Sequence, residues 1–362
     1  MCSSTLKWFT MAAIFCLAAD FHTVAQSGGS FTITKSVIAG GGGQASGGSF
    51  SVNGTIGQAA AGTTSVGGAY SVESGFWAGG EGVSRKAPFD YDGDGKSDYS
   101  VFRPSDGTWY LALSQGGTMY VQPWGAATDK IVPGDYDGDR ITDMAVYRPA
   151  EGKWYVIYSQ SATINAIQFG LNGDFPLPQD FDGDGRSDFG IWRPSDGTWY
   201  LGLSQTGSMY VLPFGLATDK PVPADYDGDG KSEIAVWRPS EGRWYVGNLA
   251  TGGFGTFDWG LNGDQPVVGD YSGDGRSDYA VYRPSNQTWY RLHTDTFAVV
   301  ERQWGVANDI PAPGDFDGDG KLDIAVFRPS EAKWYVLTAT QAILSQTFGV
   351  AGDRPTENAF VF

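Results

Sequence analysis

From Phe89 onward, apolar and aromatic residues come in short runs of strand length, cut by turns rich in Gly, Pro, Ser and Asp, with no helical spacing. A short apolar stretch ends at an aspartate (VPGDY, Val132 to Tyr136), an Asp- and Gly-rich loop follows, and a second run begins (DMAVYR, Asp143 to Arg148). A turn opened by Pro leads to a third run of the TWYLAL kind, Thr108 to Leu113 in the first unit. A fourth run closes on an aromatic residue and Gly, as at Trp124-Gly125. Four short strands per unit predict an all-β fold of four-stranded blades, and blades set round an axis make a β-propeller. A metal-bound β-solenoid is the runner-up, although its coils are usually shorter than this unit.

The unit has a fixed period. The loop DYDGDGKSD, Asp90 to Asp98, returns at Asp135, Asp180, Asp225, Asp270 and Asp315, each 45 residues after the one before. A finer alternation runs through the copies. Thr108, Thr198 and Thr288 precede the Trp-Tyr pair in odd units, and Lys153, Arg243 and Lys333 in even ones. Three copies of a two-blade unit predict a six-bladed ring. The tail, Pro355 to Phe362, falls where a further first strand would start. It is expected to pair beside the first blade and fasten the ring, or else to join the N-terminal strands in a seventh blade.

The loop carries chemistry. Carboxylates at positions one, three, five and nine, with a backbone carbonyl at position seven, supply the oxygen ligands of a hard cation. Glycines at four and six take the positive φ of a tight curl. Nitrogen and sulfur ligands for zinc are missing, and magnesium asks for a stricter octahedron, so calcium is expected, up to six ions. The first copy offers Asp90, Asp92, Asp94, Lys96 and Asp98, and the second Asp135, Asp137, Asp139, Ile141 and Asp143. The third offers Asp180, Asp182, Asp184, Arg186 and Asp188, and the fourth Asp225, Asp227, Asp229, Lys231 and Glu233. The fifth offers Asp270, Ser272, Asp274, Arg276 and Asp278, and the sixth Asp315, Asp317, Asp319, Lys321 and Asp323. Asp and Gly are ordinary turn formers, and one copy would establish little. Six copies with acids at the same offsets point to a ligand role. Ser272 lacks a carboxylate and Arg140 replaces a glycine, so the fifth and second loops are expected to bind more weakly.

Charge fits that reading. The net charge is -17. Five loops contribute four acids and one contributes three, so 23 of the 41 acidic residues are candidate ligands. Six divalent ions would bring the balance to about -5. Such acidity argues against nucleic acid as a partner.

Residues 1–25 read as a secretory signal: Lys7, an apolar run from Trp8 to Ala19 too short to span a bilayer, and small residues at Thr23-Val24-Ala25. The protein is therefore expected to be secreted or displayed at the cell surface, without a transmembrane segment, as a monomer. Cys2 and Cys16 both lie in this segment, so the mature chain would lack thiol chemistry. Residues 26–84 are rich in Gly and Ser. GGSFTI at Gly28, GGSFSV at Gly47 and GGAYSV at Gly67 predict three strands or hairpins, a region separate from the 85–362 repeats.

The unit resembles the FG-GAP and VCBS repeats, whose best-known members form the calcium-binding propeller of integrin α chains. The resemblance rests on an aromatic followed by Gly (Trp124, Phe169, Phe214, Trp259, Trp304, Phe348), an acid after it (Asp129, Asp174, Asp219, Asp264, Asp309, Asp353) and the loop itself. Where the family often has GAP, this chain has an aromatic then Arg-Pro, at Arg103, Arg148, Arg193, Arg238, Arg283 and Arg328. The resemblance implies calcium binding on a propeller and surface glycans or extracellular proteins as ligands.

Catalytic signatures are sparse. The mature chain has one histidine, His293, expected at the surface. Asp258, Glu301 and Glu357 are among the few acids outside the repeat. The expected function is a non-catalytic binding or adhesion module. A polysaccharide-acting lyase or hydrolase on the same scaffold, or a passive surface protein, is the alternative. In each Trp-Tyr pair one ring should be buried between blades and the other could stack on a sugar. The arginines are expected to make a repeated structural pairing with a carboxylate or carbonyl.

Overall fold

The computed structural model describes residues 87–249 and 252–361, together with the backbone of six short strands nearer the N-terminus. It divides into two compact units, residues 1–83 and 84–362. In the first unit the described strands form three antiparallel pairs: Ser27–Gly28 with Phe31–Thr32, Gly43–Gly47 with Phe50–Gly54, and Thr63–Gly67 with Tyr70–Ser74. Each pair turns at one of the GG motifs, so the three repeats are hairpins. The expected signal segment lies outside the described residues.

The second unit is a ring of six four-stranded antiparallel blades. Blade 2 shows the pattern. Lys130–Ile131 pairs with Met144–Arg148, that strand with Lys153–Ile157, and that with Ile164–Gln168. Blades 3 to 6 repeat it in sequence order. Blade 1 does not: its first strand is Arg354–Pro355 from the C-terminus, paired with Tyr99–Arg103, which continues through Thr108–Ala112 to Met119–Pro123. The tail thus fastens the ring at six blades, and the solenoid and the seventh blade are both set aside.

Burial follows from a strand's place in its blade. Second strands are buried on both faces, because each blade is covered by a neighbour on either side, and they read as unbroken apolar runs such as AVY at Ala145 to Tyr147. Third strands alternate, and fourth strands, at the outer edge, are mostly exposed. The core is six clusters, one at each blade junction. Val132, Tyr136, Ala145, Tyr147, Trp154 and Val156 of blade 2 close on Ile191 of blade 3. All six tryptophans of the Trp-Tyr pairs are fully buried, and truncating a buried Trp to Ala typically costs about 3–5 kcal/mol.

The odd and even alternation has a local cause. In odd blades the short Asp106, Asp196 and Asn286 side chains accept the N–H of the Thr two residues on, an Asx turn. In even blades the longer Glu151, Glu241 and Glu331 instead reach the arginine of their own blade, and like Asp106 and Asn286 they also bond the Tyr hydroxyl.

Candidate metal centre

Each Asp-rich loop leads into the second strand of its blade, and in blades 2 to 6 it joins the first strand to it. In the first copy the Asp90 carboxylate accepts the backbone N–H of Gly93 at 2.6 Å and of Gly95 at 2.8 Å, curling the chain round it. The Asp94 N–H donates to Asp92, and the Lys96 N–H to Asp94. Asp98, at position nine, accepts the Tyr91 N–H at 2.8 Å and the Ser114 N–H at 2.6 Å. Ser114 lies in the turn between third and fourth strands, so position nine ties the loop to its own blade. Ser159, Ser204, Thr294 and Ala339 do the same for Asp143, Asp188, Asp278 and Asp323.

The curl needs positive φ at positions four and six, with Gly93 at 78° and Gly95 at 85°. Arg140 takes the same conformation at φ 74° and still donates its N–H to Asp135 at 2.9 Å. The second loop therefore keeps its shape, but at the roughly 1–2 kcal/mol that an L side chain pays in this region.

Carboxylate oxygens gather within 4.8 Å of one another in five loops: Asp90, Asp92 and Asp94; Asp135, Asp137 and Asp143; Asp180, Asp182 and Asp188; Asp225, Asp227 and Asp229; Asp315, Asp317 and Asp323. Such an all-oxygen donor set fits a hard cation. The remaining acids of these loops lie outside these triads, Asp98 and Glu233 at position nine and Asp139, Asp184 and Asp319 at position five. Among the described residues the fifth loop brings no such triad together. There the Ser272 hydroxyl donates to Asp274 at 3.1 Å and lies 3.3 Å from Asp270.

Burial pushes the position-nine acids up, Asp98, Glu233 and Asp323 to about 7, Asp143 and Asp188 to about 6. Burial likewise raises the first-position Asp90, Asp180, Asp225 and Asp315. Carboxylates crowded in a half-dry loop resist ionising until a positive charge joins them.

The loops also touch one another, which no single copy of the motif reveals. The N–H of position eight donates to the position-one carbonyl of the preceding loop all the way round: Thr142 to Asp90, Ser187 to Asp135, Ser232 to Asp180 and Ser277 to Asp225 at 2.6 Å, Leu322 to Asp270 at 2.8 Å, and Ser97 back to Asp315 at 2.7 Å. Position seven, expected to offer only a carbonyl, has a second task. Its side chain lies across the position-four glycine of the preceding loop, Arg186 over Gly138, Lys231 over Gly183, Arg276 over Gly228, Lys321 over Gly273, Lys96 over Gly318 and Ile141 over Gly93. A Cβ on Gly138 would stand 3.0 Å from Arg186 Nε. Five of these six residues are cations set beside the neighbouring acids. The Ser or Thr at position eight of five loops, replaced by Leu322 in the sixth, is the sequence signal for this belt.

On the opposite side of the ring each arginine makes a bidentate pair with the acid just before its blade's first strand. Arg148 meets Asp129, Arg193 Asp174, Arg238 Asp219, Arg283 Asp264 and Arg328 Asp309. Each guanidinium also lies over the tyrosine of its Trp-Tyr pair, at 4.0 Å for Arg103 over Tyr110 and 4.6 Å for Arg148 over Tyr155. Every tryptophan of these pairs is buried, and every tyrosine has one ring face covered by its arginine. His293, expected at the surface, is half-buried, and its Nε2 is buried without a hydrogen-bond partner. Asp258 pairs with Arg243 on an outer strand, Glu301 lies on another, and Glu357 is buried at the ring closure.

Among known proteins, a model of the FG-GAP-like repeat matches residues 180–236, 225–281 and 270–326. No curated protein matches the chain. Similar solved structures include an Agrocybe aegerita lectin that recognises non-reducing terminal N-acetylglucosamine (18% identity, 76% of this chain and 79% of that one, TM-score 0.48). Others are virginiamycin B lyase from Staphylococcus aureus (10%, 73% and 88%, 0.45) and AztD from Citrobacter koseri (10%, 70% and 87%, 0.42). Ligands and activities do not carry across at such identities. Each matched stretch runs from one Asp-rich loop through the next, and the same loop and arginine pair recur round the ring: the chain is a β-propeller in which residues 180–326 carry FG-GAP-like repeats.

Proposed function

We propose that this protein is an exported, calcium-binding propeller that serves as a non-catalytic binding module for extracellular proteins or glycans. One observation carries the calcium reading: a triad of carboxylates within 4.8 Å recurs in five loops, and the loops are hydrogen-bonded into a closed belt. An ion in one loop would stiffen two blade junctions, so calcium would act on the whole ring. The apolar run at residues 8–19 and the small residues after it support export. Among the described residues no helix is long and apolar enough to cross a membrane.

Protein partners are favoured over glycans by a second observation. On the side of the arginine pairs, the residue after each aromatic-Gly is an exposed aliphatic in five blades, Leu171, Leu216, Leu261, Val306 and Val350. That ring of apolar side chains suits a protein surface better than a sugar. The test is calcium titration calorimetry and thermal melting in calcium and in chelator, followed by a glycan panel and an array of extracellular domains. Unchanged melting in chelator would overturn the calcium reading. Calcium-dependent binding to a defined domain would support the protein reading, and binding to a defined sugar would replace it with the glycan one.

A further inference from the structure

A cavity of about 250 Å³ lies where the first strands of blades 6, 1, 2 and 3 converge, away from the metal loops. Lys130, Phe175, Ile310 and Arg354 line it, together with Asn358 and Val361 of the C-terminal tail. The tail crosses the ring. Ala359 packs on the core between blades 1 and 2, Val361 on the core between blades 5 and 6, and the Asn358 amide donates to the Pro311 carbonyl at 2.7 Å. It leaves Pro355 toward the side of the metal loops and so closes the channel there. What remains is a cup facing the side of the arginine pairs, because Lys130 and Arg354 directly follow Asp129 and Asp353.

The cup's charge is at odds with the rest of the chain. In a protein of net charge -17, the six arginines of the bidentate pairs each hold a carboxylate. Among the described residues Lys130 and Arg354 have none within ion-pair distance. The Lys130 ammonium donates to the Asp174 backbone carbonyl at 3.0 Å and stands 4.4 Å from the centre of the Phe175 ring. Arg354 is exposed and makes no ion pair among the described residues. Burial lowers the pKa of Lys130, and the Asp174 charge nearby offsets only part of that. Two cations from adjacent blades thus stand over walls of aromatic, aliphatic and proline side chains. A liquid water occupies about 30 Å³, so the space suits a single ring or a short chain rather than a polymer.

We propose that this axial cup binds a small organic anion, its carboxylate held between Lys130 and Arg354 and its apolar face laid on Phe175 and Ile310. The site is separate from the calcium loops and does not depend on them.

Calorimetry on the calcium-loaded full chain tests this with benzoate, hexanoate and glucuronate as probes and benzamide as the uncharged match for benzoate. The expected result is saturable binding of at least one of the three anions, with benzoate at least about tenfold tighter than benzamide. Arg354→Glu should weaken anion binding by at least about tenfold while leaving the melting temperature unchanged, because that side chain is exposed. Lys130→Gln should act in the same direction. Saturable binding of none of the three anions, equal affinity for benzoate and benzamide, or an unchanged affinity in Arg354→Glu would each overturn the proposal.

Discussion

Arg103 and Asp353 lie 250 residues apart and meet through two parallel hydrogen bonds, Nε to Oδ1 at 2.8 Å and Nη2 to Oδ2 at 2.9 Å. The same pair occurs within each other blade, but only here do its members come from the two ends of the ring. Asp353 is buried, and the Arg103 side chain keeps 21% of its exposure. Asp353→Ala should cost about 2–3 kcal/mol, slightly below the range for breaking a fully buried pair. Asp219→Ala should cost a similar amount within blade 4. Only the Asp353 variant should speed hydrogen exchange selectively in the strand Tyr99–Arg103, whose edge it opens. Equal exchange there in both variants would argue against a closing role.

Calcium and protons should compete for the loop carboxylates. Position-nine carboxyls raised to about 6 or 7 hold protons in the metal-free fold that the unfolded chain releases near pH 4. The folded state then binds more protons than the unfolded one between those values. Metal-free stability should therefore fall as pH rises from about 4 through about 7. Calcium needs the ionised form, so its affinity should rise over the same interval. Melting curves in chelator and in millimolar calcium should diverge from pH 5.5 to pH 8, and parallel curves would count against the loops as calcium sites.

The fifth loop should stay free of tightly bound calcium. It lacks the carboxylate at position three, where Ser272 stands, and blade 5 brings a cation of its own. Arg291 stands where the other blades have Leu111, Val156, Leu201, Val246 and Val336, and its guanidinium lies 5.3 Å from the Tyr271 ring. Its Nε, like Nε2 of His293, is buried without a hydrogen-bond partner. Calorimetry should count five ions, matching the five triads. Ser272→Asp combined with Arg291→Leu should add one. A sixth tight ion in the unaltered protein would refute this.

Arg140→Gly should stabilise the protein by about 1 kcal/mol through relief of the positive φ, set against the extra freedom glycine gives the unfolded chain. Denaturant titration in chelator reads the effect without a contribution from calcium. A loss of stability would show that the Arg140 side chain makes a contact worth more than the strain.

Glu357 is a pH-sensitive element of the closure. It is buried, one carboxyl oxygen receives the Ser100 hydroxyl at 2.9 Å, the other has no partner, and burial drives its pKa well above the usual carboxylate range. A group raised on folding stabilises fully below its unfolded value, and that contribution is lost as pH rises through the folded one. Glu357→Gln should therefore leave stability at pH 5 nearly unchanged and slow its decline toward pH 9. A variant equally weakened at both values would show that the carboxyl is not being held protonated.

Much of this was legible beforehand because the chain states it six times. Asp90, Asp92 and Asp94 alternate with glycines that permit positive φ, a local pattern readable without partners. The arginine at the end of each second strand could be assigned a pairing role but not its partner, since Asp129 and Arg148 meet only once two strands are in register. The cover over the tyrosines was hidden for the same reason. His293 was misplaced because its burial depends on the particular neighbours of blade 5.

The sequence by itself determined what is periodic and local: the strand and turn pattern, the carboxylate spacing of the loops, and the six copies of the blade unit. Those features follow from backbone preferences and side-chain chemistry within a few residues of one another. The tertiary structure decided what depends on closing a circle. It chose Arg354–Pro355 as the first strand of blade 1, linked six loops into a belt through Ser97 and Asp315, and laid the tail across the axis to leave a cup. Contacts between chain ends carry no local signature, because they exist only when the accumulated rotation of six blades brings the last beside the first.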